Sequence, residues 1–181
     1  METKIAILRG INVGGKRKIK MIVLKSLCEN FGWTEVQTYI QSGNLIFNSD
    51  EDNQRLEEIL ESAIMEELGF EVPVIVRSLT ELQAYISNNP FYHEEEDIST
   101  LHLTLLKRSP SKSDLDTTLT YNYEPDEFKI DQKAVFIRCQ GKYHQSKLSN
   151  NFFENKLKVS ATTRNWKTIL KLSEIASKKS S

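Results

Sequence analysis

The sequence predicts an α+β protein built as two halves of one order, β-α-β-β-α-β, each an antiparallel sheet with helices packed on one face. Three observations lead there. Short apolar runs and apolar residues recurring at period 3.6 succeed one another in that order between Lys4 and Arg77. A turn signal, Ser42-Gly43-Asn44, joins two of the predicted strands as a hairpin. The same succession of periods then returns after Thr100, without residue-level self-similarity.

Lys4 to Arg9 reads as the first strand, and Leu24, Leu27, Cys28 and Phe31 follow at helical spacing until Gly32 supplies a stop. Val36 to Gln41 and Leu45 to Asn48 are the hairpin strands. Asp50-Glu51-Asp52 sets negative charge at a helix N-terminus, where the backbone dipole favours it. That helix puts Leu56, Ile59, Leu60, Ala63, Ile64 and Leu68 on one face and stops at Gly69, and Val72 to Arg77 adds a fourth strand. Residues 1–78 therefore form one split βαβ, or ferredoxin-like, half. Residues 79–99 connect: Ser78 and Glu81 form a capping box, the helix stops near Asn88-Asn89-Pro90, and His93 to Asp97 is an acidic link.

Residues 100–181 repeat the order. Leu101 to Lys107 is a strand, Ser109-Pro110 opens a short helix, and Phe128 and Ile130 alternate in a strand that pairs with Ala134 to Cys139. A helix after Gly141 carries Leu148, Phe152, Phe153 and Leu157. An extended piece surrounds Val159, and the last helix runs from about Arg164 to Ala176.

The 181 residues carry 39% hydrophobic and 27% charged side chains with a net charge of −1, enough chain for a packed core and no excess of basic charge for a dedicated nucleic-acid binder. The charge is unevenly spread. Arg55 is the lone cation from Asp50 to Glu71, whereas ten Lys and Arg from Arg138 onward face only Glu154 and Glu174. The carboxylates of 50–71 read as the wet side of a helix. No apolar run reaches the roughly 20 residues a membrane span needs, and the first residues lack a secretory signal's apolar core, so a cytoplasmic location without membrane association is expected. Cys28 and Cys139 lie on apolar stripes far apart, which predicts buried free thiols.

The densest chemical signal is the stretch from Arg9 to Lys20, in which Gly10, Gly14 and Gly15 are interleaved with Lys16, Arg17, Lys18 and Lys20. No acidic residue falls between Glu2 and Glu29, so the positive charge has no local counter-ion, and the glycines let backbone amides approach an anion. Gly10 to Lys16 satisfies the G-x4-G-K part of a phosphate-binding loop. Arg17 stands where such a loop needs Ser or Thr for Mg²⁺, no helix begins at the lysine, and no second strand ends in a metal-binding Asp. A glycine-rich turn with a solvated basic face is the other reading.

Leu8 to Lys16, Thr38 to Asn44, Ser146-Lys147-Leu148 and Ala161 to Trp166, four separated motifs in order, resemble the bacterial family labelled domain of unknown function 1697. The resemblance spans nearly the whole chain. It implies a small cytosolic α+β protein, and the family has no established activity from which a catalytic residue could be carried over.

The candidate ligand-binding set is Arg9, Asn12, Gly14, Gly15, Lys16, Ser42, Asn44, Lys147, Arg164 and Asn165. Thr162 to Asn165, placed at a helix start, would offer free amides and a two-pronged Arg164 contact to an anion, or Thr162 or Thr163 would simply cap the helix. Ser42 and Asn44 are turn residues first, and Ser146-Lys147 is a polar lead-in to a helix. His93, His102 and His144 lack metal-ligand spacing, Cys28 has no visible His partner, and no triad or cofactor motif can be named. Base-stacking aromatics of RNA-recognition sheets are missing from the first strand, and the third offers only Phe47. The expected function is a binding module for a phosphorylated or other anionic small ligand in a basic cleft between halves. The alternatives are an enzyme acting on an anionic substrate there, and a nucleic-acid or protein interaction module using the basic ends.

Overall fold

The computed structural model describes residues 1–179. The chain divides into two compact units, residues 1–83 with 171–179 and residues 84–170.

The first unit begins with β1 (Glu2–Leu8), α1 (Met21–Asn30), β2 (Thr34–Tyr39), β3 (Asn44–Ser49), α2 (Asn53–Leu68) and β4 (Val74–Ser78), and its sheet has the order β2-β3-β1-β4 with antiparallel neighbours. This is the ferredoxin-like order that the hydrophobic periods predict. Ala6, Leu8, Leu45, Phe47, Val74 and Val76 turn one sheet face to Leu24, Cys28, Leu56, Leu60 and Ile64 of α1 and α2. Ile5, Ile7, Ile46 and Ile75 on the other face are equally withdrawn from solvent, so these strands read as apolar runs with little alternation. Asp52 caps α2 by accepting the Arg55 amide at 2.9 Å, and Gly69, at φ 75°, ends it in the left-handed conformation.

After α3 (Leu79–Asn88) the second unit repeats the pattern: β5 (Leu101–Leu106), α4 (Lys112–Thr118), β6 (Glu127–Asp131), β7 (Ala134–Arg138), α5 (Asn150–Leu157) and β8 (Ala161–Asn165), with sheet order β6-β7-β5-β8. Leu106, Val135, Ile137, Leu148, Phe153 and Leu157 form its core, and α6 (Trp166–Lys179) follows. Ser78 and Glu81 make the predicted capping box at α3: the Glu81 amide donates to Ser78 Oγ at 3.1 Å and the Ser78 amide to Glu81 Oε2 at 2.8 Å.

Four local expectations are corrected. Thr162 to Asn165 belong to a strand and not to a helix start, because β5 needs a neighbour on its open side and two consecutive threonines suit a pleated surface. Asn165, and neither threonine, caps α6 by accepting the Thr168 amide at 2.8 Å. The cap of α4 is Ser111, downstream of Ser109-Pro110. Finally, the carboxylates of α2 are not all solvated: Glu57 is buried and Glu61 half-buried, because the outer amides of edge strand β4 need acceptors and these two side chains, one turn apart, supply them.

Candidate functional site

The cationic stretch leaves β1 with its backbone tied on both sides, since the Leu8 amide donates to the Gly43 carbonyl and the Arg9 amide to the Pro73 carbonyl, each at 2.9 Å. The chain then forms a small hairpin. The Asn12 amide donates to the Arg17 carbonyl and the Lys16 amide to the Val13 carbonyl, both at 3.1 Å, with Gly14 and Gly15 as the central residues. Their φ values of 58° and 75° are the left-handed pair that the tight type I′ turn requires. The glycines are thus committed to the turn, and the Lys16 amide to closing it. Helix α1 starts only at Met21, five positions beyond Lys16, so the strand-loop-helix geometry of a nucleotide-hydrolysing loop is not formed.

Asn12 pins the root of this hairpin. Its Oδ1 accepts the Ile19 amide at 2.9 Å, while its Nδ2 donates to the Ile19 carbonyl at 3.0 Å and the Gln41 carbonyl at 2.8 Å. Ile11 and Ile19, both buried, anchor the two arms beneath it. Gly43, at φ 85°, lies so close to this anchor that an added Cβ would meet Ile11 Cδ1 at 2.6 Å and Leu8 Cβ at 2.9 Å. Asn44 is fully buried and donates to the Tyr39 carbonyl at 2.9 Å and Ser42 Oγ at 3.0 Å, shaping the turn from Ile40 to Gly43.

In this way Arg9, Asn12, Gly14, Gly15, Lys16, Ser42 and Asn44 come together around one loop cluster of the first unit. The amides of Asn12 and Asn44 face inward as its framework. The outward chemistry is cationic: Lys16, Arg17, Lys18 and Lys20 are all exposed, and among the described residues none has a carboxylate within ion-pairing distance. Arg17, Lys18 and Lys20 fall outside the ten predicted ligand-binding residues. The signal that includes them is the acid-free stretch from 3 to 28 taken as a whole.

The other three predicted residues lie in the second unit. Lys147 is exposed, with Nζ 5.4 Å from the centre of the Tyr123 ring, beside a hollow of about 500 Å³ that also touches Asp126, Gln145 and Ser146. Ser146 Oγ donates to Asp126 Oδ2 at 2.6 Å and accepts the Leu148 amide at 3.1 Å, so it orders the approach to α5. Arg164 folds back along its own strand, donating to Thr162 Oγ1 at 3.1 Å and the Thr163 carbonyl at 3.0 Å. Burial pulls its guanidinium down to about 10, which leaves it charged at neutral pH. Asn165 is engaged as the cap of α6.

Among the described residues no group of three or more His, Cys, Asp or Glu side chains would hold a metal ion. Burial pushes the Cys28 thiol up to about 12 and raises that of Cys139, so neither supplies a thiolate near neutrality. His102 is buried, stacked on Tyr143 at 4.2 Å, and held below the usual imidazole range by desolvation. Among the described residues no helix is long and apolar enough to cross a membrane.

No curated protein matches the chain. Among solved structures it is similar to a conserved bacterial protein, SP0830 from Streptococcus pneumoniae, with a TM-score of 0.79 and 24% identity over 97% of this chain and 98% of the other, a likeness of fold. Residues 1–136 match the family described as protein of unknown function (DUF1697), a stretch that contains the cationic hairpin and the Thr38 to Asn44 motif and stops short of Ser146 and Ala161. The chain belongs to the DUF1697 family.

Proposed function

We propose that this protein is a binding module for a phosphorylated or otherwise anionic ligand, and that the hairpin from Arg9 to Lys20 is its contact surface. One observation supports the reading above the rest: a hairpin pinned by Asn12 and closed by two glycines holds four exposed cations that no carboxylate among the described residues neutralises. Like charges held so close repel one another, and an anion relieves that repulsion while accepting their hydrogen bonds. Two free, buried cysteines fit a reducing compartment, and we place the protein in the cytoplasm.

Thermal shift with nucleotides, sugar phosphates and sulfate tests the proposal. A ligand present at about 100 times its Kd stabilises the fold by about 2.7 kcal/mol, and the gain disappears in a Lys16→Ala, Arg17→Ala variant. If no anion raises the midpoint of the wild-type chain and that variant melts like it, the protein does not bind anions here.

A further inference from the structure

We infer that the ligand of the hairpin is a strand of nucleic acid held through successive phosphates. The inference rests on the anion-binding reading above and narrows it to a polymer. Lys16, Arg17, Lys18 and Lys20 occupy five consecutive positions, which span at most about 13 Å at 3.3 Å per extended residue. Four cations along a stretch of that length match a strand, which presents charge after charge along its length, about one per 3.4 Å of duplex axis.

Exposure points the same way. Pockets for small ligands cover most of the ligand's surface with their walls. Here all four cations are exposed and follow a two-glycine turn, an arrangement that encloses little and suits a partner lying along it. A polymer gains affinity without enclosure, because each phosphate neutralised releases condensed counter-ions.

Apolar groups beside the cations distinguish a nucleic acid from an inorganic chain. Val13, at the hairpin turn, and Ile22, in the first turn of α1, are each 67% exposed. Ile40 is 47% exposed next to Gln41, whose carbonyl Asn12 holds. Sugars and base faces give these side chains a partner, and inorganic polyphosphate gives none. They sit singly on a turn, a helix and a loop, without the continuous apolar face of a membrane-surface helix. The sheet does not add base stacking: Phe47 is fully buried and stacked on Trp33 at 4.3 Å. Recognition is therefore of the backbone, indifferent to sequence.

The test is fluorescence anisotropy of the full-length protein with labelled single strands of 4, 8 and 16 nucleotides across a salt series. The competitors are ATP, inorganic phosphate, inorganic polyphosphate and phosphatidylglycerol vesicles. Affinity rises with strand length, is unchanged by base composition, and falls about 50-fold between 50 and 200 mM salt, the slope of about −2.8 expected when four cations each release a counter-ion from a single strand. Removing one charge by Lys18→Gln, at an exposed position, reduces that loss to about 20-fold and leaves the melting midpoint in place.

Equal affinity for ATP, phosphate and every strand length overturns the strand inference while leaving anion binding intact. Absence of binding to any of these overturns both. Tighter binding to polyphosphate or to vesicles than to the 16-mer overturns the nucleic-acid assignment in favour of that partner.

Discussion

Glu57 and Arg77 meet at the edge of the first sheet, Glu57 Oε1 lying 3.8 Å from Arg77 Nη1 while the same oxygen accepts the Val76 amide at 2.9 Å. One turn further along α2, Glu61 Oε1 accepts the Val74 amide at 2.8 Å, and Glu81 takes the Ser78 amide. Three alternate amides of an edge strand are thereby closed by carboxylates, which removes a template for strand pairing. The second unit does the same with other residues: Glu154 accepts the Ala161 amide at 2.9 Å, and Asn150, one turn earlier on α5, donates to the Ala161 carbonyl and accepts from Thr163 Oγ1. The equivalence extends to Arg77, opposite Ile5, and Arg164, opposite Leu103.

Glu57→Ala leaves the Val76 amide without its acceptor and removes a counter-charge from a buried guanidinium, so a loss of about 2–4 kcal/mol in urea unfolding is expected. Glu57→Gln keeps an oxygen for the amide and loses less than Glu57→Ala. Equal losses for the two variants would refute the hydrogen-bonding role of Glu57.

Asn12→Ala frees the hairpin root from both Ile19 and the Ile40 to Gly43 turn. Three hydrogen bonds go, each contributing about 1 kcal/mol net, and local opening becomes easier without global unfolding. Tryptic cleavage of the native variant after Lys16, Arg17 or Lys18, followed by mass spectrometry, accelerates at least tenfold. Unchanged cleavage would show that the loop is held by other means.

His102 makes the fold sensitive to acid. Its folded imidazole sits below its usual value, mainly through burial, so the unfolded chain takes up the proton first as pH falls below about 6.5. More protons are then bound in the unfolded state, and stability falls with decreasing pH by at most about 1.4 kcal/mol per pH unit for this one group. Urea midpoints between pH 7.5 and 5 report the slope, and His102→Gln makes it shallower. An identical slope in the variant would assign the acid sensitivity elsewhere.

Neither cysteine reacts quickly in the native protein. Cys28 is pushed up to about 12 and Cys139 is raised, both by burial, so a thiol reagent at pH 8 modifies them only through opening of the structure. Two thiols per chain react at once in denaturant. Rapid native labelling of Cys28 would contradict its place in the first core.

The path from residues to fold was short where local chemistry and global packing agree. Leu24 and Cys28, or Leu56, Leu60 and Ile64, mark their helix faces by spacing, and Ser78 with Glu81 writes its own cap into the chain. Phe31 shows the limit: it continues the spacing of α1 but falls on the helix's C-terminal cap and is exposed. Thr162 to Asn165 show it again, since their strand exists only through pairing with β5, a partner some sixty residues away.

For the candidate site, the sequence alone determined the cationic stretch, its glycines and its lack of acids, because charge and backbone freedom are properties of residues wherever they fold. Tertiary structure decided which side chains face outward. Asn12 and Asn44 carry the same amide chemistry whether they hold a ligand or a loop, and only the carbonyls of Ile19, Gln41 and Tyr39, brought to them by the fold, commit them to the framework. Glu57 likewise reads as one surface carboxylate among many until β4 arrives with an amide to satisfy. Hydrogen-bond partners distant in sequence are chosen by the packing of the whole unit, and composition carries no record of that choice.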